Sequence, residues 1–302
     1  VKVPEVWKTD LKSGIKVSGI ENDEVPLVQF QLKIKGGMLL ENIDKIGVSN
    51  IMADLMSRGT KNKTPEQLET EIESLGARIN TYATDDAVYI TGSCLSKNYE
   101  ATMNLVSEIL LEPRWDAKEF DLIKQSVTSS IQRQKANPNA IAANEYAKLL
   151  YGENHILAQN NQGTEASVEA ITIEDLKNYY NTNLTPKLAS LNVVGDISKA
   201  EVTKNLESIN TRWEAKDVTI PGIPTVQAPE KGTVFFYDVP NAKQSQLRFG
   251  YPAPKATDDD YFAAGVMNYR LGGGGFASQL TQQLREGKGY TYGIRSRFSG
   301  DE

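Results

Sequence analysis

The sequence predicts an α+β fold built as two related units, each a mixed or antiparallel sheet flanked by helices. Three observations predict it. Apolar residues alternate with polar ones at residues 28–34, and segments 78–84 and 87–95, the latter alternating over Tyr89 to Leu95, read as further strands. Apolar stripes of helical period lie between and after those segments. Beyond a proline-bearing break, the order strand, strand, helix, helix, strand begins again.

The first unit opens as a meander. Gly14-Ile15-Lys16-Val17 leads to a turn at Asn22-Asp23-Glu24, and Val28, Phe30, Leu32 and Ile34 then form one apolar face before Gly36-Gly37. A helix is expected over Val48 to Met56. A second opens at Thr64-Pro65-Glu66-Gln67, a capping box with proline at the first helical position, and its stripe Leu68, Ile72, Leu75 ends at Gly76. Strands Arg78 to Thr84 and Ala87 to Leu95 join across Asp85-Asp86. A helix from Ser96 carries Tyr99, Met103, Val106 and Leu110 on one face and stops at Pro113. A long helical pattern runs from Ala117 to Lys135, breaks at Asn137-Pro138 and resumes from Ile141 to Leu150. Helix Ile173 to Tyr180, strand Leu188 to Val194 and helix Lys199 to Ile209 complete the unit.

Between Trp213 and Gly232 periodicity fades, and Pro221, Pro224 and Pro229 mark a stiff exposed linker. This places a first domain at 1–217, a linker at 218–231 and the start of a second domain at 232–302. The second is expected to contain strands Thr233 to Val239 and Gln246 to Tyr251, helix Asp258 to Tyr269, a glycine run Gly272 to Gly275, helix Ser278 to Glu286 and strand Tyr290 to Phe298. It is shorter than the first and is expected to be truncated; a chain opening at Val1 is likewise expected to be a mature or excised segment.

Composition narrows the function. Hydrophobic residues make up 39% and charged residues 24%, the balance of an ordinary folded protein. A net charge of −6 without basic-aromatic clusters argues against nucleic acid as a partner. Apolar runs such as Ile109-Leu110-Leu111 fall far short of the roughly 20 residues that span a bilayer. Cys94 is the only cysteine, so neither a disulfide nor a thiolate metal cluster is available, and it reads as a packed residue that fits cytoplasm and bacterial periplasm equally. His155, the only histidine, has no nucleophile signature around it. Gly272 to Gly275 lacks the Lys-Ser/Thr ending of a phosphate loop and reads as a turn, and Asp258-Asp259-Asp260 reads as helix capping. A self-sufficient hydrolase is not expected.

The segment Gly47-Val48-Ser49-Asn50-Ile51-Met52-Ala53-Asp54-Leu55-Met56-Ser57-Arg58-Gly59-Thr60 resembles the inverted zinc-binding helix of the pitrilysin and insulinase family of metallopeptidases. That family carries H-x-x-E-H there, two His on zinc and a Glu that activates water. Here Asn50, Ala53 and Asp54 stand in those places, and the family's third ligand, a Glu on the long helix before the Asn-Pro break, falls on Ser130. The resemblance continues through Tyr151-Gly152-Glu153-Asn154-His155, Gln162-Gly163-Thr164-Glu165 and Leu191-Asn192-Val193-Val194-Gly195-Asp196. It implies no cofactor in this chain and a zinc ion in a partner half.

In the second unit, Leu284-Arg285-Glu286-Gly287-Lys288-Gly289-Tyr290-Thr291-Tyr292 looks like the Arg and Tyr motif of the family's non-catalytic halves. The resemblance implies two halves closing like a clamshell, with Arg285 and Tyr292 reaching toward the zinc of the other. The chemistry is sensible by itself: peptide hydrolysis builds negative charge on the carbonyl oxygen, and a guanidinium with a phenol can donate to it. Gly287 and Gly289 are expected to break the helix into a strand so that the two side chains converge. Tyr290, on the same strand face as Tyr292, and Gly274 in the glycine run are read as substrate contacts. The expected partners are thus an H-x-x-E-H-bearing half, fused or separate, and a short or unfolded polypeptide substrate. The rival expectation is a peptidase-derived scaffold with no proteolytic role.

Overall fold

The structure is a computed structural model that describes residues 4–223 and 231–299. Pro224 and Pro229 of the linker lie outside those residues. The chain divides into two compact units, Val1–Pro224 with Val239–Leu247, and Thr225–Asp238 with Arg248–Glu302.

The first unit is a six-stranded mixed sheet with helices on one face. Its strands are β1 (Trp7–Asp10), β2 (Lys16–Glu21), β3 (Leu27–Lys35), β4 (Arg78–Ala83), β5 (Ala87–Leu95) and β6 (Ala189–Gly195), in the order β1-β2-β6-β3-β5-β4. Strands β2 and β6 run parallel; the other neighbours in that order are antiparallel. The helices are α1 (Val48–Met56), α2 (Pro65–Ser74), α3 (Tyr99–Leu111), α4 (Ala117–Lys135), α5 (Pro138–Tyr151), α6 (Glu165–Ala170), α7 (Ile173–Asn183), α8 (Lys199–Asn205) and α9 (Glu207–Arg212). The period-two pattern does what it predicts: Val28, Phe30, Leu32 and Ile34 of β3 and Leu191 and Val193 of β6 turn into one core.

Local signals account for the helix ends. Thr64 accepts the Gln67 N–H, and the Gln67 side chain accepts the Thr64 N–H in return, so both halves of the capping box form. Asn137 caps α5 through the Asn139 N–H, with Pro138 inside the first turn. The single helix expected from Lys199 to Ile209 is instead two, α8 and α9, hinged at Leu206, whose side chain is buried. Strand β1 and helix α6 carry too few residues for a periodic signal and were not expected.

Helix α1 is the most deeply set element. Ile51, Met52, Leu55 and Met56 are all 1% exposed or less, each worth roughly 1.5–3 kcal/mol of apolar burial. Its N-terminus is held by a carboxylate distant from the helix itself: Glu41 Oε2 accepts the Gly47 N–H and Oε1 the Ser49 N–H, both at 2.7 Å. Gly47 sits at φ 107°, and a Cβ there would come within 2.9 Å of the Gln162 carbonyl.

The second unit departs from expectation. Helix α10 (Tyr261–Asn268) forms, but the helix read over Ser278 to Glu286 is realised as a wider π-type turn, Thr281–Gly287. None of the three expected strands is laddered among the described residues. A strand needs a paired edge and a covered face. Val234 is 93% exposed, Phe236 88% and Leu247 84%, so the apolar pattern there meets no partner surface.

Burial pushes the Glu41 carboxyl up to about 7, against the two N–H donors that favour its ionised form. A carboxyl whose folded value is raised stabilises the fold fully below its ordinary 4.5 and loses that contribution as pH rises through about 7. Over that window Glu41 should lower unfolding free energy by up to about 1.4 kcal/mol per pH unit. Glu41→Gln is expected to remove this slope, measured as the difference between parent and variant in urea unfolding from pH 4.5 to 7.5.

Candidate functional site

Two groups of residues bear on the chemistry, the degenerate positions of the metal-site resemblance and the Arg and Tyr motif, and they lie in different units. The first is the α1 face with Ser130 of α4. Asn50 and Asp54, four apart, share the half-exposed side of α1, while Ala53 faces the core and is 0% exposed. Asp54 is engaged from just beyond the end of its helix: Arg58 donates to Oδ1 from Nη2 at 3.1 Å and from Nε at 3.3 Å. The Ser130 hydroxyl donates to Gln162 Oε1 at 3.1 Å, which also receives the Gln134 amide at 2.6 Å; Asn160 donates in turn to Gln134 Oε1 at 3.0 Å. The position of the third ligand is thus a neutral amide network joining α4 to the loop before α6.

These residues do not fit a zinc ion. Ala53 offers no donor atom, Asp54 is the only carboxylate of the four, and the Ser130 oxygen is a poor zinc ligand already committed to an amide. Among the described residues no three His, Cys, Asp or Glu gather as a metal site. His155 serves its own loop, where its Nδ1 accepts the Leu157 N–H at 3.1 Å and its ring stacks on Tyr151 at 5.4 Å. Cys94 is buried, and burial pushes its thiol up.

The second group lies around the π-type turn. Gly289 takes φ 64°, its N–H donating to the Arg285 carbonyl at 3.0 Å, and the Tyr290 N–H reaches back to the Leu284 carbonyl at 2.9 Å. The glycines therefore end the helix as expected, but the chain beyond enters no strand ladder, so the shared-face reading of Tyr290 and Tyr292 loses its basis. Both rings are open to solvent, 76% and 88% exposed. Arg285 lies with its guanidinium carbon 4.5 Å from the centre of the Phe276 ring, and Glu286 approaches it at 3.6 Å. Gly274 is half-buried, its N–H bonded to the Tyr269 carbonyl at 2.8 Å; a Cβ there would come within 2.6 Å of that oxygen. Its local role is a tight return of the chain. A groove of about 570 Å³ along α10, lined by Tyr261, Phe262, Val266 and Phe298 among others, includes neither Arg285 nor Tyr292.

Sequence reasoning missed Glu41 and Phe276. Glu41 lies in an irregular segment and Phe276 across a helix break from Arg285, so neither shares a period with the group it touches.

Residues 17–159 match the model of the insulinase family, peptidase family M16, and residues 170–302 match that of the peptidase M16 inactive domain. The chain is 23% identical to a Bacillus subtilis protein described as an uncharacterized zinc protease, YmxG, over 96% of this chain and 69% of that one. It is 24% identical to a Helicobacter pylori protein described as a non-peptidase homolog, over 92% of this chain and 64% of that one. The chain thus spans about two thirds of these relatives' lengths. A crystal structure of a peptidase M16 inactive domain from Pseudomonas fluorescens superposes with a TM-score of 0.82 at 24% identity, over 98% of this chain and 71% of that one.

Because Asp54 is engaged by Arg58, and Ala53 and Ser130 add no good zinc donor beside it, Asp54→Ala should leave zinc at background in metal analysis of the purified chain. With both side chains more than a third exposed, its effect on unfolding free energy should stay under about 1 kcal/mol. Stoichiometric zinc in the parent that falls on this substitution would overturn the reading.

Proposed function

Because the chain belongs to peptidase family M16 and carries that family's inactive domain, we propose that it is the non-catalytic half of a zinc peptidase, fused to or paired with a half bearing H-x-x-E-H. Its first domain, to about residue 217, encloses polypeptide substrate. Its second, from about residue 232, presents Arg285 and Tyr292 to the carbonyl oxygen at the partner's zinc. The zinc supplies Lewis-acid activation and the attacking water in the partner half. This chain supplies hydrogen-bond donors to the developing oxyanion, while Tyr290 and Gly274 border the substrate.

The observation that carries the reading is a contrast between the two groups. Ala53 is packed in the core and Ser130 is committed to an internal hydrogen bond, whereas the Tyr292 ring is open to solvent and Arg285, half-exposed, lies over Phe276 beside Glu286. A second reading, an assembly subunit with no proteolytic role, draws support from the Helicobacter relative described as a non-peptidase homolog.

Cleavage of an unfolded polypeptide by this chain mixed with its H-x-x-E-H half distinguishes them. Arg285→Ala should lower kcat by roughly a hundredfold or more, as loss of an oxyanion donor does. Tyr292→Phe should cost about tenfold, the worth of one hydrogen bond. Parent rates in both variants would leave the scaffold reading.

A further inference from the structure

We propose that Phe276 is the positioning residue for Arg285, a role that rests on the reading of Arg285 as an oxyanion donor. The guanidinium carbon lies 4.5 Å from the ring centre, within the distance at which an aromatic face attracts a cation. A guanidinium held by its flat face keeps its in-plane N–H groups free, and those are the groups that bond a planar acceptor such as a peptide carbonyl. An Arg on a flexible stem would spend rotamer entropy to reach the same place.

The ring is itself held by its backbone at two points. The Gln282 side-chain amide, one turn before Arg285, donates to the Phe276 carbonyl at 2.7 Å. On the other side, the Ser278 hydroxyl bonds the Gly275 carbonyl at 2.8 Å and meets the buried Thr281 hydroxyl at 3.0 Å, fixing the short turn Gly275–Ala277 against the start of the π-type turn. The glycine run thus has a use that a flexible turn would not require: it returns the chain so that residue 276 projects over residue 285. Glu286, 3.6 Å from the guanidinium, is the competing partner, and a 68% exposed phenyl ring serves no core. Its cover of Arg285 is the contact that explains its place.

The test uses the full chain, alone and with its H-x-x-E-H half. In the free chain, the Arg285 Nε–H resonance should show the ring-current shift of an overlying phenyl, lost in Phe276→Leu and kept in Phe276→Tyr. In peptide cleavage, Phe276→Leu should lower kcat by roughly three- to thirtyfold with KM unchanged, and Phe276→Tyr should restore it. If Phe276→Leu cleaves at the parent kcat while Arg285→Ala does not, the positioning role is wrong and the donor role stands. If Arg285→Ala cleaves at the parent rate, the donor reading fails and takes this one with it. A shift absent from the parent also overturns the proposal.

Discussion

Two backbone N–H groups at the start of α1 converge on one carboxylate, and the first unit is organised around that clamp. Glu41 bridges Gly47 and Ser49, and the Gln162 backbone closes over Gly47 where only a glycine leaves room. Ser167 of α6 then donates to the Ile46 carbonyl at 2.8 Å, tying the approach to α1 to α6. Burying a carboxylate is costly, and two hydrogen bonds at the positive end of a helix offset only part of that cost, so the group stays raised above its ordinary value. The helix axis is therefore set by its cap and its apolar face. No ligand on its half-exposed side is needed to keep it there.

The helix therefore keeps its place whatever residues stand on its half-exposed side. Three of the four positions that the resemblance assigns to zinc ligands or to the base hold residues with other work. Ala53 fills core volume, Asp54 pairs with Arg58 along the helix, and Ser130 enters an amide network with Gln134, Gln162 and Asn160, leaving Asn50 on the half-exposed face. Buried polar groups without partners are expensive, so a network that satisfies itself is a stable substitute for a ligand shell.

Most of the first unit was legible from the sequence, for a physical reason. Helix α1, the capping box of α2, the limits of α4 and the hairpin β4–β5 all depend on signals within a few residues of each other. What escaped was non-local. The role of Glu41 depends on a chain reversal that brings it over a helix it precedes, β1 depends on pairing with β2, and the second-unit strands needed a ladder that alternation alone does not provide. The same distinction runs through the candidate site. The seven-residue separation of Arg285 and Tyr292 can be read from the sequence, whereas Phe276 reaches Arg285 across a glycine return that breaks any period.

The two units also differ in the kind of group they retain. The first presents no histidine at the positions that the resemblance marks, and the pair proposed to act in the second consists of groups that donate hydrogen bonds. A guanidinium stays charged across the range in which proteins work, and its planar fork needs only to be aimed. A half that contributes an aimed donor does not have to tune an acidity near neutrality, which is the demanding part of general acid–base chemistry. It has to control geometry. The devices around Arg285 do that with ordinary parts: an aromatic face beneath it, a glutamine holding that ring's backbone, and Gly289 ending the turn one residue before Tyr290. On this view the demand for acid–base tuning falls on the zinc-bearing half, and this chain answers for where the oxyanion's partners stand.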